Sequence, residues 1–176
     1  MDEGQIEVAR FLVFDIKADM NYHRREPNWM PILVRAIWRR QEAMALWLLR
    51  ETHADREATN MDGQTPIMMA AFKGLVEVVR VLALEVGVSL ESKEEDGLDV
   101  MYWAVVGGSA AVVSFLMDHE RLSMDQAYKY QGQLLHIASD HGHLELAQWL
   151  ILRGADPTET SCRLVTTHEY NRDRGI

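Results

Sequence analysis

With one cysteine, Cys162, in 176 residues, no intramolecular disulfide can staple this chain. That usage fits a reducing compartment. A net basic charge is also missing. The formal balance is −9, which argues against a nucleic-acid partner held mainly through phosphate contacts. No apolar run reaches the roughly 18 to 20 residues that span a bilayer. The opening Met-Asp-Glu-Gly has neither the basic start nor the small-residue cleavage site of a secretory signal. Glycine-rich phosphate loops, H-E-x-x-H and G-x-S-x-G are absent as well. Together these absences predict an intracellular protein, cytoplasmic or nuclear, with no nucleic-acid or membrane partner and no enzymatic signature.

What the chain does have is a period. Ala36, Ala70, Ala104 and Ala138 stand 34 residues apart, and other positions recur with them. Leu33, Ile67, Met101 and Leu135 precede the alanines by three. Arg40, Gly74, Gly108 and Gly142 follow them by four, and Leu48, Leu82, Leu116 and Leu150 complete the series. A fixed period in this range means stacked supersecondary units rather than one globular core. Each unit has two apolar-periodic stretches around a glycine-centred break, which predicts two short helices joined by a tight turn. Thr65 suits an N-cap and Pro66 the first helical turn. Gly74 and Gly142 can take the left-handed conformation that ends the first helix.

Unit two reads Asp62-Gly63, Thr65-Pro66, Gly74, Glu77-Val78-Val79 and Leu82. Unit four reads Leu135-His136-Ile137-Ala138, Gly142-His143-Leu144-Glu145 and Gly154-Ala155-Asp156. These residues resemble the ankyrin repeat, whose unit runs D-x-x-G-x-T-P-L-H-x-A, G-H, x-E-V-V-x-L-L-L-x-x-G-A-D. Units one and three depart from it. Arg40 replaces the turn glycine, and Asp99-Val100-Met101-Tyr102 stands for T-P-L-H. The resemblance implies an all-α solenoid of stacked helix-turn-helix units with short hairpin loops. It divides the chain into a half repeat over 1–22 and full repeats over 23–57, 58–91, 92–125 and 126–157. Residues 158–176 form a loop and the start of a further hairpin. The half repeat, Gly4 to Asn21, is rich in apolar residues, among them Ile6, Val8, Phe11, Leu12, Val13, Phe14 and Ile16. Either that stripe turns inward to cap the stack, or its outer side meets another chain.

Candidate chemistry is thin. His136, His141 and His143 have the close spacing of zinc ligands. However, His136 and His143 fall where the ankyrin pattern itself carries histidine for backbone hydrogen bonding. We therefore expect no metal, no cofactor and no catalytic residue. Glu94-Glu95-Asp96 lies in a predicted hairpin, where carboxylates are expected to be solvated. Asp118-His119-Glu120 ends an outer helix, and Cys162 has no assured histidine partner.

The resemblance also implies a concave groove lined by hairpin tips and first helices, where a protein partner docks. By register, two rows run along it: Trp38, Phe72, Val106 and Asp140, then Arg39, Lys73, Gly107 and His141. Met61, Asp62, Gln64, Glu95, Leu98, Lys129 and Tyr130 border the same groove. Trp38 and Phe72 either line it as a hot spot or pack under their own hairpins. Arg24, Arg25, Arg35, Arg39 and Arg40 crowd the first unit, and Glu91, Glu94, Glu95 and Asp96 the third hairpin. The expected function is a non-catalytic protein–protein interaction module acting as adaptor, scaffold or assembly subunit. The alternative is a stoichiometric inhibitor of an enzyme such as a kinase. More distant is a small metal-dependent enzyme using the His136–His143 group.

Overall fold

The computed structural model describes residues 3–19, 21, 30–94, 97–119 and 133–157. Among them all regular structure is helical. Helix α1 (Glu3–Arg10) runs on into a wider π turn (Phe11–Asp15). Four helix pairs follow. They are α2 (Ile32–Trp38) with α3 (Glu42–Glu51), and α4 (Pro66–Phe72) with α5, which is α-helical over Val76–Arg80 and π-helical over Val81–Val86. Next come α6 (Val100–Val106) with α7 (Ala110–His119), and α8 (133–140) with α9 (Leu144–Leu152).

The short first helices pack side by side, α2 on α4 on α6. The second helices form another row, in which α1 packs on α3, α3 on α5, α5 on α7 and α7 on α9. The buried core runs between the rows. Leu33, Ile37, Met68, Met101, Val78, Leu82, Leu116 and Leu150 are almost wholly enclosed there. The four periodic alanines are buried too. Their small side chains let adjacent helices approach, and each alanine carbonyl has a second task. It accepts the backbone N–H five residues on: Gln41 to Ala36 at 2.9 Å, Leu75 to Ala70 at 3.0 Å, Ser109 to Ala104 at 3.3 Å and His143 to Ala138 at 2.8 Å.

That bond closes the same left-handed turn four times. Gly74, Gly108 and Gly142 have φ of 69°, 73° and 72°, and Arg40 takes it at 56°. The missing glycine of the first unit therefore left the turn intact, because the surrounding hydrogen bonds fix the backbone whatever the side chain. Thr65 Oγ1 accepts from the Met68 N–H and caps α4 just ahead of Pro66, as its sequence predicts. Asp99 does the same for α6 through Tyr102 N–H at 2.9 Å, replacing threonine with an equally good cap.

The half repeat joins the stack as a second helix. Ile6, Ala9 and Val13 turn toward the core, and Phe14 meets Trp47 edge-on at 6.4 Å. Asn21 continues the period. Its side-chain oxygen accepts from Asp55 N–H at 2.8 Å and its amide donates to the His53 carbonyl at 3.0 Å, 34 and 32 residues away. Val8, Phe11, Leu12, Phe14 and Ile16 remain exposed, so only part of the apolar stripe faces inward. The segment 158–176, with Cys162, lies outside the described residues, as does the loop 22–29 with Arg24 and Arg25.

Candidate partner-binding face

The ends of the first helices carry both predicted rows. Trp38 is 45% exposed, Phe72 and Val106 are half-buried, and Asp140 is exposed. In the second row Arg39 is exposed, and Lys73 and His141 are half-buried. Helical geometry explains the exposure on α2. Leu33, Val34, Ala36 and Ile37 are buried, so Arg35, Trp38 and Arg39, spaced by three and four, share the opposite side.

The rows meet at Lys73. Its ammonium Nζ lies 3.6 Å from the centre of the Trp38 ring and 5.0 Å from that of Phe72, a cation held over two aromatic faces. Burial against those rings, and then the Arg40 charge, hold the Lys73 ammonium below the usual lysine range. Phe72 in turn stands edge-to-face on Trp103 at 5.8 Å, and Tyr102 does so at 5.6 Å. Trp103 is buried and backs the row. The sequence reading did not single it out, although it stands one turn before Val106, at the register position of Arg35. The structure thus combines the two readings of the rings: Phe72 is braced by the core and Trp38 is open on top.

The turn of the third unit presses against the same place. A Cβ on Gly107 would fall 2.1 Å from the Phe72 carbonyl oxygen, so the second row needs glycine there. On the hairpin side, Met61 is exposed and Asp62 and Leu98 are half-buried. Gln64 is a correction. It is 7% exposed, its side-chain oxygen accepts from the Asn60 amide at 2.9 Å, and its N–H donates to Asn60 Oδ1. It closes the hairpin instead of bordering a groove. Glu94 is another: it is 6% exposed, not solvated. It repeats the place of Asn60, with its N–H donating to the Leu98 carbonyl and its carbonyl accepting from Gly97. Glu95, Asp96, Lys129 and Tyr130 lie outside the described residues.

The histidines divide. His143 Nε2 is 2.7 Å from the Val106 carbonyl oxygen, so it carries the proton and ties the fourth unit's turn to the end of α6. His141 Nδ1 donates to the Ile137 carbonyl at 3.0 Å and its ring stacks on that of His143 at 6.2 Å. His136 is exposed, with Nε2 3.7 Å from Asp140. Among the described residues no three metal-ligating side chains converge, and no helix is long and apolar enough to cross a membrane.

The family model described as "Ankyrin repeats (3 copies)" matches residues 84–161, and that described as "Ankyrin repeat" matches 62–93. The chain belongs to the ankyrin-repeat family. It is 30% identical over 129 residues to NF-kappa-B inhibitor alpha of Sus scrofa, covering 69% of this chain and 41% of that protein. Tyrosine-protein kinase Shark of Drosophila melanogaster is 26% identical over 126 residues, 72% of this chain and 13% of its own length. Rabankyrin-5 of Mus musculus is 27% identical over 104 residues, 53% and 9% respectively. The chain therefore spans less than half the length of these relatives. Ankyrin repeats are generally non-catalytic protein-interaction modules, and the family match marks this stack as an interaction module.

Proposed function

We propose that the chain holds one protein partner along the face of α2, α4 and α6, as an intracellular adaptor, scaffold or assembly subunit without catalysis of its own. One observation carries the reading. Trp38 is a large aromatic that the helix pair does not need for its core, yet it is kept in place by the Lys73 ammonium and flanked by Phe72. A rigid, half-open ring beside a cation has the make-up of an interface anchor. Arg39 adjoins it on α2, and Met61, Val106, Asp140 and His141 continue the same face along the stack by register. The non-catalytic part of the proposal is supported by His143, whose ring is committed to a backbone carbonyl.

The similarity to a protein named as an inhibitor supports the narrower version, in which binding masks the partner's own activity. Assaying the purified partner with and without the chain separates masking from scaffolding. The main reading is tested with Trp38→Ala and Phe72→Ala in affinity purification with quantified recovery of bound protein. Each should weaken binding by about 2 kcal/mol, while Trp38→Ala leaves the unfolding midpoint nearly unchanged. If both variants unfold and the partner still binds the folded fraction normally, the rings serve the fold and this face is not the site.

A further inference from the structure

Among the described residues, three arginines of the second-helix row are compensated by carboxylates. Arg10 pairs with Glu51 at 3.7 Å, Arg50 bridges Glu85 at 2.9 Å and Glu77 at 3.6 Å, and Arg80 reaches Glu77 at 3.9 Å. Around Trp38 the pattern is reversed. Arg35, Arg39, Arg40 and Lys73 have no carboxylate within ion-pair distance among the described residues, although the chain as a whole carries −9. Asp62, half-buried at the hairpin tip, already has an interaction of its own.

These four charges are gathered in spite of their cost. Arg35 and Arg39 share the exposed side of α2 with Trp38, and Arg40 is close enough to Lys73 to disfavour its proton. Arg40 also sits in the left-handed turn that glycine occupies in the other three units, at φ 56°. Like charges without a counter-ion repel, and a strained arginine where glycine would be relaxed points to a task outside the fold. An incoming carboxylate relieves the repulsion.

Resting on the binding-face reading above, we infer that the first-unit end of this face takes an acidic protein segment. Its carboxylates lie against Arg35, Arg39, Arg40 and Lys73, and an apolar side chain stacks on Trp38 and Phe72. The Trp38–Phe72 surface supplies the anchor and the cations supply orientation and encounter rate. A protein segment suits the site better than a nucleic acid. Among the described residues the carboxylate-free basic area lies on α2 and the end of α4, on a molecule of net charge −9 that repels a long polyanion.

The test is selection of peptides from a random displayed library against the full chain, with Trp38→Ala as the control. Peptides lost on Trp38→Ala should carry an excess of Asp and Glu and bind less well as salt is raised. Their affinity should fall about tenfold in an Arg35→Glu/Arg39→Glu variant that stays folded by circular dichroism. Lys73→Gln provides a milder loss of charge should the double reversal unfold. Neutral or basic peptides that still depend on Trp38 overturn the charge inference and leave the binding face standing. Peptides indifferent to Trp38→Ala, or no selected peptides at all, overturn both. A single-stranded oligonucleotide that displaces the acidic peptides at physiological salt overturns the inference in favour of nucleic acid.

Discussion

Arg40 shows how one side chain can serve binding against folding. At φ 56° an L-residue meets its own carbonyl, a clash of about 1–2 kcal/mol that glycine avoids. Glycine gives back part of this through its greater freedom in the unfolded chain. Arg40→Gly should therefore stabilise the protein by about 1 kcal/mol, raising the thermal midpoint by roughly 2–4 °C. The same change removes one of the charges beside Lys73, so acidic peptides should bind less tightly to a more stable protein. Calorimetry and a binding titration on the same sample check both signs. Equal or lower stability would mean that the turn is unstrained and that the arginine is there for the fold. The substitution was legible in the sequence, since Arg40 breaks a column of glycines. What it did to the backbone was not, because the hydrogen bond from Gln41 N–H to the Ala36 carbonyl is made by main-chain atoms. The burial of Glu94 and Gln64 escapes the sequence for a related reason. The same main-chain bond closes both hairpins, Asn60 N–H to the Gln64 carbonyl and Glu94 N–H to the Leu98 carbonyl, and main-chain bonds carry no sequence signal.

At the scale of elements, the helices, their caps and their turns followed from period and turn chemistry, because each is a local device repeated at fixed offsets. Two things did not. The π turns at Phe11–Asp15 and Val81–Val86 widen the helix without any residue type that marks them. The contact between α4 and α6 is the other: it is more extensive than that between α2 and α4, and the cause shows only in three dimensions. Gly107 abuts the Phe72 carbonyl, and the His143 ring fills the space beside Gly108 while donating to Val106. The registers that hold Arg39, Lys73 and His141 in the other units are therefore closed to any side chain here. Gly107→Ala should push the turn off Phe72 and cost about 1–3 kcal/mol, the usual effect of overpacking, measurable in urea unfolding. It should also disturb the Phe72–Trp103 contact, read by tryptophan fluorescence. A neutral result would mean that the two helices can separate freely and that the aromatic row is not a rigid platform.

For the whole molecule, the recorded packing runs between neighbours, first helix to first helix and second to second. Stability in such a stack is a sum of unit and interface contributions rather than one cooperative core. The interfaces are unequal. Those around α4, α5 and α6 enclose fully buried Met68, Ala70, Val78, Leu82, Ala104 and Val105, whereas the half repeat leaves Phe11, Leu12, Phe14 and Ile16 in solvent and is held by partly buried Ile6, Ala9 and Val13, by Gln5 and Arg10, and by the Phe14–Trp47 edge. Local opening should then follow that order. Native-state hydrogen exchange is expected to be slowest in α4, α5 and α6, faster in α2 and α9, and fastest in α1. Leu82→Ala, a buried deletion costing about 2–5 kcal/mol, should lower the protection of α4 to α7 more than that of α9. Should every helix exchange with one common free energy, before and after the substitution, the stack unfolds as a single unit. In that case the platform around Trp38 is as firm as the core that carries it. A graded profile instead places Phe72 on the most stable pairs and Trp38 on the pair beside them, tied to α4 through Lys73, so that a partner anchored at both rings meets surface already ordered before it arrives.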